Sequence, residues 1–415
     1  MARDYRKQIK CRLCEKSNLL NVINLGITPL ANSFLKKKQL KKKEEKYPLK
    51  VNFCKHCHHL QLSHIVDPKK MFDNYLYLTN TSKQNRDHFK KYAIDIQKKI
   101  KSKKKIPILD IASNDGTFLS YFNKNKFLRL GIDPAKNLSK FARKMGIKQL
   151  IMYFNYKNSY KIKKIFGKFK IITANHVCAH VDNLNDFFKG VKNLLDIDGI
   201  FVFEVSYLGS VIQKKTFDTI YHEHADYHSL KPLIKFVKKF ELEIFDFKKV
   251  KSQGGSIRIF VSHKNSLTIN KNKINKQILI EKNELNLFKI QKYRNFSEQI
   301  ELVKLNLNKL LNKLKKGGKN IVGYGAAAKT TTLLNYFDID KKKINFIVDD
   351  NRLKQNKYTP GTHIPIKSSD SIYKNNIDYI IILAWNYSSH IMKIHKQFKK
   401  NKGKFIIPFP KIKII

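Results

Sequence analysis

Two closely spaced pairs of cysteines constrain the fold of the N-terminal region more than any other feature. Cys11 and Cys14 form one C-x-x-C pair. Cys54 and Cys57 form the second pair, after 39 intervening residues. Each pair brings two thiolates to one ion from a tight turn, and four thiolates complete the tetrahedron that structural zinc prefers, which leaves no open catalytic position. We therefore predict a structural zinc site; a redox dithiol and unliganded core cysteines are the alternatives.

Three histidines near the second cysteine pair, and the fifth cysteine, are not expected to bind the metal. His56, His58 and His59 surround the second pair, but with four thiolates available we expect them on the surface. Cys178 stands alone and is expected to pack as a small apolar side chain. Five cysteines in 415 residues do not form a disulfide framework.

Short apolar runs alternate with helix-like stretches beyond residue 105. The first series of runs reads IPILDIA, FLRLGID, FKIITANHV and GIFVFEV. A second series reads NIVGYGAAAKTTTLL, INFIVDDN and DYIIILAWN. Strands that alternate with helices indicate βαβ units and parallel sheets. The sequence thus predicts an α/β protein with two Rossmann-like units behind a small metal-bound module.

The length and composition allow several domains. A chain of 415 residues that is 42% hydrophobic and 12% aromatic can form more than one globular core. Between the two series, apolar residues recur three and four positions apart, which predicts amphipathic helices. We divide the chain into a zinc-binding module (1–70), a central domain (71–271), a helical connector (272–316) and a C-terminal domain (317–415).

The formal net charge of +52 raises the question of a nucleic-acid or anionic-membrane partner. The chain has only nine Arg against 75 Lys, spread along nearly its whole length. Phosphate recognition favours Arg, so we interpret the charge as a compositional bias and expect no nucleic-acid partner; a functional basic field is the alternative. The N-terminus lacks an apolar signal region and runs such as YIIILAW are too short to span a bilayer, so we expect a soluble, cytoplasmic protein without a membrane partner.

A glycine-containing turn follows the first strand of the central domain, in PILDIASNDGTFLSYF. The dinucleotide fingerprint G-x-G-x-x-G is absent. Asp110 ends the first strand and Asp133 ends the second, where a carboxylate can accept both ribose hydroxyls. With Gly116 in the turn, this pattern favours S-adenosylmethionine, which has an amino acid group and no pyrophosphate. An α/β turn without a ligand is the alternative.

The stretch TIYHEHADYHSL places Tyr221, His222, Glu223 and His224 in four consecutive positions. It lacks the H-E-x-x-H spacing of a zinc protease, so a metal site is disfavoured. On a strand the two histidines would share a face. His titrates near neutral pH, and a neighbouring Glu and Tyr can set its tautomer, which favours an acid–base site. A solvated polar loop is the alternative.

A second glycine turn, in GYGAAAKTTTLL, superficially resembles a phosphate loop. It lacks the G-x4-G-K-[ST] spacing, and we do not interpret it as an ATPase motif. Its small residues are expected either to pack a strand against a helix or to lie near a nucleotide.

These motifs belong to a longer ordered set. The segments read NLGITPLANSFL, YLYLTNTS, DIASNDGTFL, GIDPAKNL, ANHVCAHVDNLNDF, YHEHADYHSL, GGSIRIFV, GYGAAAKTTTLLNY and FIVDDNRLKQNKYTPGTHIPI. With the cysteine pairs, they resemble the nucleotide-sugar C-methyltransferase family over nearly the whole chain. The enzymes of that family add the methyl branch to deoxysugars of antibiotics and bacterial glycans.

The resemblance implies a zinc-binding module, a central class I S-adenosylmethionine-dependent methyltransferase domain and a C-terminal Rossmann-like domain. Zn²⁺ would be structural, and the substrate would be a nucleotide-linked, most closely dTDP-linked, 4-keto deoxysugar. We expect a monomer or a homodimer. The implied catalytic residues, with Tyr75 preferred to Tyr77, are His224, Tyr221, Glu223, His180 and Tyr75. We assign cofactor binding to Asp110, Ala112, Asn114, Gly116, Asp133 and Asn175.

Some positions depart from the family pattern. The first glycine loop of the family usually reads E-x-G-S-N-D-G, and here Asp110 and Ala112 replace its acid and its first glycine. Asp keeps the acceptor, and Ala is small enough to keep the turn. His176 and Cys178 replace Asn or Leu-type residues, which leaves the shape of the substrate pocket open.

The expected chemistry is methylation of carbon. A carbon attacks a sulfonium methyl only with an electron pair, which a C–H beside a ketone supplies once His224 removes its proton. Tyr221, Tyr75 or His180 would stabilise the enolate, and Glu223 would orient His224 or hold a sugar hydroxyl. A nucleic-acid methyltransferase with a zinc module and a non-enzymatic scaffold are the rival functions; the first would need an N-P-P-Y tetrapeptide or a cysteine near the cofactor, and neither appears cleanly.

Overall fold

The computed structural model describes residues 4–73, 75, 78–100 and 104–415. Across these ranges the strands form a four-stranded, a seven-stranded and a six-stranded sheet and one two-stranded ribbon. No helix in this described part of the chain is both long enough and apolar enough to cross a membrane.

The N-terminal part is antiparallel and small. Its elements are β1 Tyr5–Lys7, β2 Leu19–Thr28, β3 Tyr47–Cys54, β4 Leu60–Leu62, β5 His64–Val66 and helix α1 Pro68–Phe72. Strand β3 alternates strictly, with Tyr47, Leu49, Val51 and Phe53 buried, because one face of a strand takes every second residue. The second cysteine pair begins at the last residue of β3, so the core of this sheet fixes the position of the pair.

The central part contains the largest sheet. Its strands are β6 Ile106–Ile111, β7 Phe127–Ile132, β8 Lys148–Leu150, β9 Phe169–Asn175, β10 Leu195–Ser206, β11 Asp226–Tyr227, β12 Leu242–Val250 and β13 Ser256–His263. Its helices are α2 Lys83–Gln97, α3 Thr117–Ser120, α4 Ser139–Lys144, α5 Tyr156–Phe166, α6 Leu184–Leu194, α7 Leu208–Lys214 and α8 Leu230–Lys238.

The central sheet has the order β12-β13-β10-β9-β6-β7-β8. Strands β6 to β10 are parallel, whereas β13 is antiparallel to both of its neighbours. Almost every residue of β6 is buried, since helices cover both faces of a parallel sheet. The register places Ile111 opposite Ile132 and Ala174, so the residues that follow β6, β7 and β9 meet at one edge. Strand β11 leaves this sheet and pairs with β4 of the N-terminal sheet.

A helical segment follows the central sheet. Helix α9 spans Lys271–Leu279, a π-helical turn spans Ile280–Glu284, and helix α10 spans Ile290–Lys316. The buried residues of α10 are three, four or seven positions apart and define one face: Tyr293, Phe296, Ile300, Leu307 and Leu311. This face contacts the N-terminal sheet, where the ring of Phe53 lies 5.3 Å from that of Tyr293.

The C-terminal part is a second α/β unit. Its strands are β14 Ile321–Tyr324, β15 Ile347–Val348, β16 Ile366–Lys367, β17 Tyr379–Ile382, β18 Lys404–Ile407 and β19 Lys413–Ile414. Its helices are α11 Ala328–Tyr336, α12 Ser388–Ile394 and α13 Lys396–Lys400. The order β16-β15-β14-β17-β18-β19 repeats the arrangement of the central sheet, in which the third, second, first, fourth and fifth strands lie side by side. The predicted α/β class with two Rossmann-like units is confirmed.

The C-terminal unit also contacts the N-terminal part. Leu35 and Tyr358 form an antiparallel bridge, and the carboxylate of Glu44 accepts a hydrogen bond from the backbone of Gly361 at 2.9 Å. The Oγ1 of Thr331 donates to the backbone oxygen of Ala31 at 2.8 Å. All three parts of the chain thus meet near residues 30–45.

Candidate active site

The four cysteines of the two pairs lie together. Their Sγ atoms are all within 4.8 Å of one another, with Cys11 and Cys57 at 3.5 Å and Cys14 and Cys54 at 3.6 Å. Zn–S bonds of about 2.3 Å in a tetrahedron require S···S edges of roughly 3.8 Å, so these donors fit a zinc ion without rearrangement. All four thiolates are used, which leaves the ion a structural role.

One expectation about the neighbouring histidines is wrong. His56 is exposed, but His59 is fully buried, and its Nε2 lies 2.8 Å from Asp226 Oδ1. The same carboxylate accepts from Arg12 Nε at 3.0 Å. No sequence pattern pointed to Asp226, which lies 167 residues from His59. A buried carboxylate is stable only with such partners, so this network places the zinc module against the segment that carries the Tyr-His-Glu-His motif.

Arg12, which lies between the first two cysteines, connects the zinc site to another histidine. Its Nη1 donates to the backbone oxygen of Asp182 at 2.9 Å, and its Nη2 donates to that of Val181. Both carbonyls directly follow His180. The zinc module therefore orders the backbone next to a predicted catalytic residue.

A cleft of about 600 Å³ opens at the carboxyl edge of β6, β7 and β9. Five of the six predicted cofactor residues line it: Asp110, Ala112, Asn114, Asp133 and Asn175. Gly116 is the sixth and lies behind the cleft wall, where a Cβ would come within 3.1 Å of Ile147. Its φ of +80° ends the turn and starts α3, so it shapes the loop without lining the cleft.

Two buried carboxyl groups and one amide oxygen line this cleft as acceptors. Burial raises the pKa of Asp110 to about 7, although Thr173 donates to its Oδ1 at 2.6 Å. Each oxygen of Asp133 accepts one backbone N–H at 2.9 Å, which fixes the carboxylate at the end of β7. Among the described residues, none donates to the buried Oδ1 of Asn175. An ammonium group and ribose hydroxyls are the donors that S-adenosylmethionine offers, so the residues present fit that cofactor.

The turn after β6 holds two non-glycine residues in the left-handed region. Ala112 has φ +55° and Asn114 has φ +52°. Asn tolerates this conformation well, whereas Ala is strained in it. The turn thus keeps the shape that a glycine at position 112 would give, at a cost in stability.

The ring of His224 lies beside this cleft. It stacks on His180, which lines the cleft, at 5.0 Å between centroids, and it contacts the ring of Tyr221 at 4.0 Å. Its Nδ1 is 2.7 Å from the backbone oxygen of Thr219. A carbonyl oxygen only accepts, so Nδ1 carries the proton and Nε2 keeps its lone pair. Burial lowers the pKa of His224 to about 4, and the imidazole is neutral at pH 7.

His222 and His224 do not share a face, because residues 221–225 form a turn and an irregular segment. The condition for a shared face, a strand at this position, is therefore not met. His222 is buried and its Nε2 lies 3.2 Å from the backbone oxygen of Tyr47, away from His224. The pair does not form a metal site.

Glu223 joins the N-terminal module to the active site. Asn32 Nδ2 donates to its Oε1 at 2.6 Å, and the Tyr75 hydroxyl donates to its Oε2 at 3.1 Å. Burial raises the pKa of Glu223 to about 7. The orientation of His224 comes from the Thr219 carbonyl and not from Glu223. Tyr77, the alternative to Tyr75, lies outside the described residues.

A second cavity of about 240 Å³ adjoins the first. Tyr75 lines both, and Glu223 lines the second. Three lysines face this second cavity: Lys36, Lys70 and Lys357. Burial, and after it the charge of Lys36, lower the pKa of Lys357. An anion placed between these two lysines would relieve their repulsion.

The space next to the second glycine turn, after β14, is filled by other side chains of the protein. A Cβ on Gly325 would lie 2.5 Å from the Cβ of Ala384, and one on Gly323 would lie 2.7 Å from Leu383. Asp349, at the end of β15, accepts from the backbone of Ala326 at 2.7 Å and from that of Asn351 at 2.8 Å. The glycines therefore serve packing, which is the first of the two expected alternatives.

Sequence reasoning missed three residues of the site. Asn32 lies inside the segment TPLANSFL, and an Asn among apolar residues was its available signal. Arg12 could have been noticed as an arginine inside a cysteine knuckle. The Thr219 carbonyl carries no sequence signal, because every residue has one.

A seven-stranded sheet of this order, with Asp110 and Asp133 in a cleft at the carboxyl edge of its first strands, fits an S-adenosylmethionine-dependent methyltransferase. Family models agree: a zinc binding domain matches residues 11–72, a methyltransferase domain matches 77–246, and a C-methyltransferase C-terminal domain matches 251–410. The C-methyltransferase NovU of Streptomyces niveus is 30% identical over 411 residues, which cover 98% of this chain and 96% of that protein. The chain belongs to the C-methyltransferase family, with S-adenosylmethionine as its methyl donor and a zinc-binding N-terminal domain.

Two solved structures that resemble this chain each cover less than half of it. PH0226 of Pyrococcus horikoshii OT3 is 16% identical, with 47% of this chain and 98% of that chain covered and a TM-score of 0.36. The magnesium protoporphyrin IX methyltransferase of Synechocystis PCC 6803 is 10% identical, with 44% and 79% covered and a TM-score of 0.32. The family assignment does not depend on them.

Proposed function

We propose that this C-methyltransferase acts on a nucleotide-linked 4-keto deoxysugar, most closely a dTDP-linked one, at the carbon next to the ketone. The observation that carries the proposal is the position of Tyr75, whose side chain borders both the cofactor cleft and the lysine-lined cavity. A methyl donor in the first cavity and a sugar nucleotide in the second would meet there. The resemblance to nucleotide-sugar C-methyltransferases supplies the substrate class.

His224 is the proposed base. Its Nε2 carries the lone pair, and low pKa keeps the ring neutral at pH 7, so it can accept the proton from the carbon next to the ketone. When bound, S-adenosylmethionine supplies a sulfonium methyl as the electrophile. Asp110, Asp133 and Asn175 would hold it at the edge of the sheet.

The remaining polar side chains are proposed to stabilise and orient the sugar. The buried Nε2 of His180 receives no hydrogen bond from the described residues and can donate to a developing oxyanion if it carries the ring proton. Tyr221 contacts the imidazole of His224 and offers a hydroxyl in the same space. Tyr75 and Glu223 form a hydrogen-bonded pair that can hold a sugar hydroxyl.

The lysines of the second cavity are proposed to bind the pyrophosphate. Burial lowers the pKa of Lys357 most, and the charge of Lys36 lowers it further, so an anion between the two lysines would stabilise both ammonium groups. Lys70 is already bonded to Asp4 and Glu45, and it would contribute less.

The proposal is tested by proton exchange in D₂O with a dTDP-4-keto-6-deoxysugar. The wild-type enzyme should exchange hydrogen next to the ketone, and His224→Ala should lose both exchange and methylation by at least 100-fold. Binding of S-adenosylmethionine to the variant, measured by calorimetry, controls for folding. Partial rescue by added imidazole would identify the missing base, whereas exchange at the wild-type rate would rule out His224.

The nucleotide is tested separately. A panel of dTDP-, UDP- and GDP-linked 4-keto-6-deoxysugars should show the highest kcat/KM with dTDP. Lys357→Met should raise KM for the sugar nucleotide about tenfold with little change in kcat, since it removes a ground-state contact. No methylation of any of these sugars would contradict the substrate class.

A further inference from the structure

The turn formed by residues 218–220 is held by the C-terminal domain at both ends. Asp218 Oδ2 accepts from Trp385 Nε1 at 2.7 Å, and the backbone oxygen of Ile220 accepts from Thr332 Oγ1 at 3.0 Å. Asp218 and Thr332 are buried. These two hydrogen bonds lie on either side of one residue, so they fix the direction in which its carbonyl points.

That residue is Thr219, and its carbonyl is the one that accepts from His224 Nδ1. Asp218 and Ile220 are thus hydrogen-bonded to the C-terminal domain, and Thr219 between them is hydrogen-bonded to the imidazole. A carbonyl that rotated by a few tens of degrees would no longer accept this proton, and either ring nitrogen could then carry it. The tautomer of His224 depends on a turn that the C-terminal domain holds.

Lys329 belongs to the same contact. It lies one helical turn before Thr332 on α11, and residues three apart share a face. Its Nζ donates to Asn386 Oδ1 at 2.9 Å and lies 5.2 Å from the ring of Trp385. Lys329 is half-buried as a residue, and burial lowers the pKa of its ammonium, while the carboxylate of Asp218 raises it.

The charge of Lys329 also reaches His224. The groups that face this imidazole are the rings of His180 and Tyr221, and beyond them His176 and Lys329. Burial, and after it the charges of His176 and Lys329, lower its pKa. The hydrogen bond to the Thr219 carbonyl acts in the opposite direction on the pKa of His224 and raises it. The turn therefore decides which ring nitrogen carries the proton, and burial is the main reason that the ring is neutral.

We propose that the C-terminal domain positions the catalytic base: Thr332 and Trp385 hold the turn whose carbonyl fixes the tautomer of His224. The two side chains are positioning residues, since they act through His224. The C-terminal Rossmann-like unit, whose glycine turn is filled by its own packing, would thereby have a function that needs no nucleotide. The inference rests on the proposed role of His224 as the base.

Two buried threonines on α11 allow a matched test. Thr332→Val removes the hydroxyl that holds Ile220. Thr330→Val removes a hydroxyl that donates at 2.7 Å to the backbone oxygen of Gly325, within the C-terminal domain. Both variants lose one buried hydrogen bond, so both should show a similar small decrease in Tm.

Only Thr332→Val should lower kcat, by roughly tenfold, because a displaced base costs rate even when binding is intact. Its KM for S-adenosylmethionine should stay within twofold of the wild-type value, and Thr332→Ser should restore kcat. Equal kcat values in the two valine variants would overturn the role of Thr332.

The ring of His224 can be observed directly. Nitrogen-15 spectra of histidine-labelled enzyme should show a single Nδ1-protonated tautomer in wild type and in Thr330→Val, and a mixture in Thr332→Val.

These spectra need neither substrate nor turnover. If they behave as expected while His224→Ala still exchanges protons next to the ketone, the positioning holds and the assignment of the base fails. If His224→Ala loses exchange but the Thr332→Val spectrum equals that of wild type, the base stands and the positioning fails.

Discussion

Two turns of this chain occupy equivalent positions, each after the first strand of a sheet with the same strand order, yet only one opens onto a large cavity. The turn after β6 places Ala112 and Asn114 in left-handed conformations beside a cleft of about 600 Å³. The turn after β14 is filled by Ala384, which would contact any side chain at position 325.

The carboxylates of the two units differ in the same way. Asp133 and Asp349 each accept two backbone N–H groups. Asp133 lines the large cleft, however, whereas Asp349 lies 3.8 Å from the ammonium of Lys354. Glycine in such a turn serves either the approach of a ligand or the packing of the protein on itself. The fold and the glycines are alike in both units and do not distinguish these two uses. The side chains that lie opposite each turn decide whether it binds a ligand or packs against the protein.

The largest expected effect on stability is at the turn after β14, which the protein's own side chains fill. Gly325→Ala combines φ +95° with a Cβ only 2.5 Å from that of Ala384, so the free energy of unfolding should fall by about 2–3 kcal/mol. Gly318→Ala is the matched control, because its φ is +70° but no described atom lies within 4 Å, and it should cost about 1 kcal/mol. Denaturant titration measures both. Equal losses would show that the second turn is not closed by packing.

The next effect concerns pH at the open turn. Burial raises the pKa of Asp110 to about 7, and a bound ammonium group favours its ionised form. Below pH 7, binding must therefore release a proton, and the affinity for S-adenosylmethionine should fall as the pH falls, by up to about tenfold per pH unit. Asp110→Asn should bind more weakly and without this dependence. Calorimetry between pH 5.5 and 7 tests it, and a pH-dependent affinity in the variant would contradict the assignment.

The same group makes a prediction for stability. The folded-state pKa of Asp110 is above its ordinary value of 3.8, so the folded state binds more protons than the unfolded state between about pH 4 and pH 7. Its contribution to the free energy of unfolding should decline as the pH rises through this range. Asp110→Asn should remove that decline, and a slope equal to that of wild type would argue against a buried carboxyl.

The smallest effect is at Ala112. Glycine accepts φ +55° without strain, so Ala112→Gly should raise the free energy of unfolding by roughly 0.5–1 kcal/mol. Ala93→Gly, in the middle of α2, is the control and should lower it by about 1 kcal/mol or more. A loss of stability in both variants would mean that the open turn is not strained.

Much of the fold and part of the site follow from the sequence. The two cysteine pairs, the two alternating series and the acids at the ends of β6 and β7 are local patterns. They can be recognised without knowledge of long-range contacts. His59 was assigned to the surface because its partner Asp226 is 167 residues away. The Thr219 carbonyl was not foreseen either, because its role depends on long-range contacts. The predicted domain boundaries and the choice between monomer and homodimer stay predictions.

The central claim is that the chain has one cofactor site, at the first turn. Calorimetric titration with S-adenosylmethionine of the wild type, Asp133→Ala and Asp349→Ala tests it directly. We expect one equivalent per wild-type chain, an affinity at least about 100-fold weaker in Asp133→Ala, which loses hydrogen bonds to a charged group, and an affinity within threefold of wild type in Asp349→Ala. A second equivalent, or loss of binding in Asp349→Ala with binding retained in Asp133→Ala, would contradict the account.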